Sequence, residues 1–156
     1  MRRTDREVKD PAKIRAVLDA CQVIRIGLQD GKRVYVVPLN FGYIETDGRL
    51  TLYFHGAKEG RKAELIARNG YAGFEMDTGY RVYGKETACS HTAAFQSIIG
   101  EGSAAVVEEP EEKRTGLQAI LRQATGKADW AFDEKMLNAV QVFRLDVEEL
   151  SCKEHL

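Results

Sequence analysis

The stretch "YFHGAKEGRK", Tyr53 to Lys62, sets two adjacent cations, Arg61 and Lys62, at the point where a helix begins. The residues that follow, "AELIARNG", place Leu65 and Ile66 on one helical face and end in Asn69-Gly70, a left-handed stop. A helix's first turn carries unsatisfied N–H groups and the positive end of the dipole. Cations there cost roughly a few tenths of a kcal/mol unless an anion joins them. Elsewhere the chain obeys the ordinary rule, since "EEPEEKRTGL" opens with Pro110 followed by Glu111 and Glu112. The exception at Arg61 and Lys62 points to a bound anion, most simply a phosphate. Arg61 would grip two oxygens as a fork and Lys62 would add a point charge. The competing reading is a pair of solvated cations bridging to Glu59 or Glu64 on the helix surface.

Other residue types add to this. In "VVPLN", Pro38 removes a backbone donor and so belongs at a strand edge or irregularity, which leaves Val37, Leu39 and Asn40 available to line a planar ligand. Asn40 is polar within an apolar run and is equally suited to a satisfied turn or core amide. "ACSHT" offers Cys89 and His91 to a metal, but two ligands one residue apart without a partner cluster make a weak site, and no metal is expected. Gly100 and Gly102 in "QSIIGEGS" mark a bulge where another strand, a ligand or a partner comes close.

The elements that must position these residues read as follows. Asp10-Pro11 opens a helix with Ile14, Val17, Leu18 and Cys21 at helical spacing. Three consecutive antiparallel strands come next: Val23 to Leu28, Val34 to Tyr43 and Leu50 to Phe54, turning at Asp30-Gly31 and Asp47-Gly48. After the short helix come "YAGFEM", a loop from about Thr78 to Ser90, and the long strand "AFQSIIGEGSAAVVE". A helix bearing Leu117, Ile120 and Leu121 and a last strand "AVQVFRLDVEE" complete the chain. Leu117, Ile120, Leu121, Trp130 and Phe132 read as core or interface. Six strands with helices at the ends and crossovers predict a mainly β, α+β fold: a six-stranded antiparallel barrel in one domain spanning 1–156.

Composition bounds the partners. With 156 residues, 44% hydrophobic, and a formal net charge of −1, the chain can bury a sizeable core. Its 23 basic and 24 acidic residues are interspersed, so no nucleic-acid surface is expected. "MRRTDREVKDPAK" lacks an apolar stretch and no later run is long enough to span a bilayer, so the expectation is a cytoplasmic protein. Cys21, Cys89 and Cys152 are odd in number and far apart, which fits reduced thiols.

Taken in order and at their separations, "VVPLNFGY", "LYFHGAKEGRK", "AFQSIIGEG" and "PEEKRTGLQAIL" resemble the flavin-binding split-barrel family related to pyridoxamine-phosphate oxidase, in particular its 5-nitroimidazole-resistance (Nim) branch. The resemblance covers nearly the whole chain. It departs at Phe95, where the family has a Tyr or similar aromatic before its Gln-Ser pair, and at Ser151-Cys152-Lys153, where the family closes with Thr-Gly-Lys. It implies a split β-barrel and an FMN whose phosphate is held at Gly60, Arg61 and Lys62, with the ring along Val37 to Asn40. It also implies that His55 stands beside the flavin, where an imidazole positions or protonates a substrate, against the plainer role of a histidine satisfied by a backbone carbonyl. Cys89 matches a cysteine in a loop that reaches the flavin of the neighbouring subunit, and Ser97 offers its hydroxyl to the flavin or is merely part of an irregular strand. The implied activity is an FMN-dependent oxidoreductase acting on nitro-aromatic or quinone-like acceptors, as a homodimer with sites at its interface. Without a Rossmann fingerprint, NAD(P)H would visit transiently. The alternatives are a flavin-, haem- or F420-holding protein without turnover, a pyridoxamine-phosphate-oxidase-like enzyme, and a partner-binding domain with no cofactor.

Overall fold

The computed structural model describes residues 3–156. A two-residue strand β1 (Glu7–Val8) precedes helix α1 (Pro11–Ala20). Asp10 caps α1 by accepting from the Ala12 N–H, and Pro11 takes the first helical position, where no donor is needed. Strands β2 (Ile24–Asp30) and β3 (Arg33–Leu39) pair antiparallel, turning at Gly31 with φ of 62°. Strands β4 (Phe41–Thr46) and β5 (Arg49–Gly56) form a second hairpin. Its turn residues Asp47 and Gly48 have φ of 51° and 75°, as a type I′ turn requires.

Helix α2 (Arg61–Asn69) stops at Gly70, which is left-handed as expected, and leads into β6 (Tyr71–Tyr83) and β7 (Thr92–Val106). Helices α3 (Pro110–Thr125) and α4 (Glu134–Ala139) precede the last strand, β8 (Gln141–His155).

The strand order is β3-β2-β6-β7-β8-β5-β4, with β1 paired to β8. β3 and β4 are joined by the single residue Asn40, yet they stand at opposite ends of that order. The sheet must therefore curl until its two edges meet, and they meet without a ladder between them. This is a split β-barrel, and Pro38 lies on one of the two edge strands, where a missing donor costs least.

Three expectations need correction. The run from Val34 to Tyr43 is two strands that part at Asn40, not one, so with β1 the sheet has eight strands where six were expected. For the same reason the first hairpins are not three consecutively paired strands, because β3 does not pair with β4 among the described ladders. The loop expected from Thr78 begins only after Tyr83. β6 passes through an irregularity between Thr78 and Arg81, with Gly79 at φ of 67°, and then resumes pairing opposite Ala94.

The barrel core gathers Ile24, Ile26, Leu28, Phe41, Leu52, Phe54, Met76, Ile98, Phe143 and Leu145, all nearly inaccessible. Phe54 and Phe143 stack with centroids 5.6 Å apart, worth about 0.5–1.5 kcal/mol beyond the area they bury. A second cluster, with Tyr53, Leu117, Ile120, Leu137 and Val142, lies under α3. α3 crosses β4 at Gly42, where a Cβ would run into the backbone of Ala119. The glycine is what lets helix and strand touch backbone to backbone. The bulge expected at Gly100 and Gly102 is present, as the β7–β8 register shifts between Glu101 and Gly102. All three cysteines are free, Cys21 and Cys152 buried and Cys89 exposed.

Candidate functional site

Gly60 caps α2 with φ of 114° and ψ of 171°, a conformation open to glycine and strained for other residues, and no side chain caps the helix. The first N–H groups of α2 therefore face outward without a protein acceptor at the cap. Arg61 and Lys62 occupy the first two helical positions, as the sequence implied, but each side chain takes a course that local reading did not foresee.

Arg61 turns to the β2–β3 hairpin. Its Nε and Nη2 donate to Oδ2 of Asp30 at 3.0 and 2.9 Å, and its guanidinium lies 4.6 Å from the centre of the Tyr35 ring. Asp30 also receives Arg68 at 3.1 Å, and these two cations, Arg68 first, hold its carboxyl below the usual range. Neither Glu59 nor Glu64 is Arg61's partner. Asp30, read from sequence only as a turn residue, is.

Lys62 folds back over the end of β5. Its Nζ donates to the His55 carbonyl at 3.1 Å and sits 5.3 Å from the centre of the Phe143 ring. Gly56 makes room, because a Cβ there would collide with the Lys62 ammonium. No carboxylate lies within ion-pair distance of Lys62 among the described residues. Burial lowers its pKa below the ordinary lysine value. A half-buried ammonium without a counter-charge, beside an uncapped helix N-terminus, is a place that favours an anion.

His55 pairs across the ladder with Val142. By alternation its side chain shares the face of β5 with Thr51 and Tyr53, the face α3 covers, whereas position 56 points to the Lys62 and Phe143 side. Burial first, and then the Lys62 charge, lower the imidazole's pKa. The ring is thus neutral at neutral pH, a hydrogen-bonding group and not a standing imidazolium acid. Its Nδ1 is buried and has no hydrogen-bond partner among the described residues.

The remaining expected residues lie at two distances from this cluster. On edge strand β3, Val37 and Leu39 pack partly buried against the core while Pro38 and Asn40 are exposed on the opposite face. The strand's outer side has no neighbour in the sheet, so its backbone groups are free to meet a flat ligand. Ser97, opposite Asp77 and Lys153, lies nine residues from Val106, which is the β7 residue level with Phe143. At about 3.3 Å per residue that is about 30 Å along the strand. Cys89, exposed on a short turn at Ala88–Ser90, lies before the start of β7, farther still. One chain therefore brings together Tyr35, His55, Gly60, Arg61 and Lys62, with Asp30 behind them, and leaves Ser97 and Cys89 apart. His91 hydrogen-bonds the Thr87 carbonyl at 3.1 Å, and no cluster of metal-ligating residues occurs among the described residues.

Comparison with known proteins places this geometry. The family model for pyridoxamine 5'-phosphate oxidase matches residues 10–154. The fold superposes on a 5-nitroimidazole antibiotic resistance protein from Bacteroides thetaiotaomicron with a TM-score of 0.80 at 28% identity, over 95% of this chain and 86% of that one. It also matches the flavocytochrome Anf3 from Azotobacter vinelandii (TM-score 0.79, 19% identity, 100% and 72% covered). A third match is an FAD-binding protein from Mesorhizobium loti (TM-score 0.66, 19% identity, 97% and 98% covered). No curated protein gives a significant match. The ordered motifs, the split barrel and the matched length agree, and the chain belongs to the pyridoxamine 5'-phosphate oxidase family, on the branch of the nitroimidazole-resistance proteins.

Proposed function

We propose that this protein binds FMN, with the phosphate at the start of α2 and the ring along the outer edge of β3. The observation that carries the reading is Lys62, a half-buried ammonium with no carboxylate at ion-pair distance among the described residues, beside a helix start without a side-chain cap. FMN brings nearly two negative charges at neutral pH, and each charge-assisted bond to them contributes about 1.5–3 kcal/mol. Arg61, fixed by Asp30 and Tyr35, presents its remaining guanidinium edge. Gly60 lets the phosphate approach the backbone.

Bound FMN would supply the electron and hydride transfer, and the chain's part is to orient it and admit an acceptor. The substrate class we assign is nitro-aromatic or quinone-like, reduced at the expense of a transiently bound nicotinamide. His55, its backbone carbonyl bonded to Lys62 and its neutral ring on the α3 side of β5, would donate a hydrogen bond to an acceptor oxygen that reaches that side as charge develops there. The active form is a homodimer, because Ser97 and the Cys89 loop reach a site only if it belongs to a second copy.

A second reading is a flavin carrier without turnover. It is favoured by the orientation of His55, whose ring shares a face with Tyr53 under α3 and not with Lys62. Anaerobic stopped-flow separates the two. The reduced wild type should transfer electrons to a nitro-aromatic acceptor about 10²–10⁴ times faster than His55→Ala. Equal rates make His55 structural, and negligible rates in both across several acceptor classes leave only the carrier.

A further inference from the structure

Helix α2 presents Arg61 and Arg68 on one face, two turns and about 10 Å apart along the axis. Both side chains reach the same carboxylate. Asp30, the last residue of β2, accepts on Oδ2 from Nε and Nη2 of Arg61, at 3.0 and 2.9 Å, and on Oδ1 from Nη2 of Arg68, at 3.1 Å. Asn69 adds a bond from its Nδ2 to the Gln29 carbonyl at 2.7 Å, and the ring of Tyr35 on β3 lies 4.6 Å from the Arg61 guanidinium. Both ends of α2 are thus tied to the β2–β3 hairpin, whose outer edge is the one assigned to the flavin ring.

A carboxylate placed here has two opposed effects on an anion at the start of α2. Its bonds to Nε and Nη2 hold the guanidinium in one orientation with Nη1 outside the ion pair, so less side-chain freedom is lost when the anion arrives. Its charge, taken alone, would cancel that of Arg61 and repel phosphate. Arg68 decides which effect wins. With two cations on one carboxylate the cluster keeps a net positive charge, so Asp30 orients Arg61 without neutralising it. Arg68 itself stands in the last turn of α2, bonded to Asp30 and, through Nε at 3.3 Å, to the Asn69 amide oxygen.

We infer that Asp30 and Arg68 are positioning residues of the phosphate site: Asp30 aims Arg61 at the ligand, and Arg68 keeps Asp30 from cancelling the charge it aims. The inference rests on the flavin-phosphate reading of α2 and deepens it, because phosphate recognition then depends on a side chain at the far end of the helix.

The test titrates FMN and riboflavin in parallel against the full-length protein, by quenching of flavin fluorescence at fixed ionic strength. The variants are Asp30→Asn, Arg68→Gln, Arg61→Ala, and the doubles that join Asp30→Asn to each of the other two. Asp30→Asn should weaken FMN about five- to tenfold and Arg68→Gln about three- to fivefold, with riboflavin moved by less than about twofold in each. Because Arg68 acts through Asp30 and Asp30 through Arg61, the losses should not add. Asp30→Asn should cost less than about twofold once Arg61 is Ala, and Arg68→Gln less than about twofold once Asp30 is Asn. Arg68, with its side chain 58% exposed, can be replaced without disturbing the core, so Arg68→Gln decides the matter even where Asp30→Asn loosens the hairpin. The inference is overturned if either single variant leaves the FMN-to-riboflavin ratio unchanged or raises it. It is equally overturned if both flavins weaken together, as a cluster that only clamps α2 would require, or if the losses add, as they would were Arg68 itself on the phosphate. A wild type with no preference for FMN over riboflavin refutes the α2 reading and this inference with it, whereas a wild-type preference that the variants leave untouched refutes the inference alone.

Discussion

Replacing Lys62 by Met tests the phosphate assignment with the least disturbance of the fold. Met keeps most of the volume that packs against Phe143 and removes the ammonium and its bond to the His55 carbonyl, 3.1 Å long. In the ligand-free chain the loss of that bond is offset by relief of a desolvated, unpaired charge, so stability should change by no more than about 1 kcal/mol. In the FMN complex nothing offsets the loss. One charge-assisted bond to phosphate, about 1.5–3 kcal/mol, corresponds to about 10- to 150-fold in affinity. Riboflavin, which has no phosphate, should bind both proteins equally. The assay is quenching of flavin fluorescence, with FMN and riboflavin titrated in parallel at fixed ionic strength, since screening weakens exposed contacts. The variant should also raise the His55 pKa, because one of its two depressing influences is removed, and the imidazole's proton resonances will report that. An FMN-to-riboflavin ratio that is the same in wild type and Lys62→Met refutes the reasoning, whatever happens to stability.

Further outcomes follow from the geometry. Arg61→Ala should weaken FMN less than Lys62→Met does, because Asp30 already holds two nitrogens of the Arg61 fork; the same titration compares them. The folded chain holds His55 below its ordinary value near 6.5. The unfolded chain therefore takes up that proton more readily, and stability falls as pH drops from the ordinary value through the depressed one. Melting temperatures between pH 5 and pH 8 on the order of half-unit steps should show this fall in wild type and lose that part of it in His55→Gln. Gly42→Ala, which drives a Cβ into the Ala119 backbone, should destabilise the apo chain by about 1–3 kcal/mol in urea unfolding; an unchanged midpoint would contradict the α3–β4 contact. Sedimentation should give a dimer, and dilution to monomer should release FMN; a monomer of undiminished affinity would remove Ser97 and Cys89 from the site.

What the residues alone disclosed, and what they hid, divides by the range of the forces involved. The helix at Arg61 was readable because capping, dipole and the Asn69-Gly70 stop all act within one or two turns, and the turns at Asp30-Gly31 and Asp47-Gly48 are equally local. The split at Asn40 was not readable. An apolar run of ten residues looks the same whether it continues as one strand or parts to the two edges of a curled sheet, and only the sheet order separates the cases. Likewise the partner of Arg61 is Asp30, thirty-one residues away in sequence, and a nearer acid is the natural guess from helix spacing. Sequence alone offers Lys62 as a point charge on a bound phosphate or as a solvated cation on the helix surface. Its burial against Phe143 and Gly56 depends on the start of β8, about eighty residues on, and no local signal announces it. His55 lay where its strand required, but which face its ring would take depended on α3 covering Tyr53. The one available cue was alternation from the buried Leu52 and Phe54, which puts position 55 on the other side.

The central claim is flavin binding at α2, and the most direct measurement is the absorption spectrum of the purified protein, followed by release and chromatography of its chromophore. The account predicts flavin bands from a phosphorylated flavin, recovered with the native protein and lost from Lys62→Met after dialysis. A haem spectrum, a deazaflavin spectrum, or a colourless protein whose melting temperature FMN does not raise would contradict it.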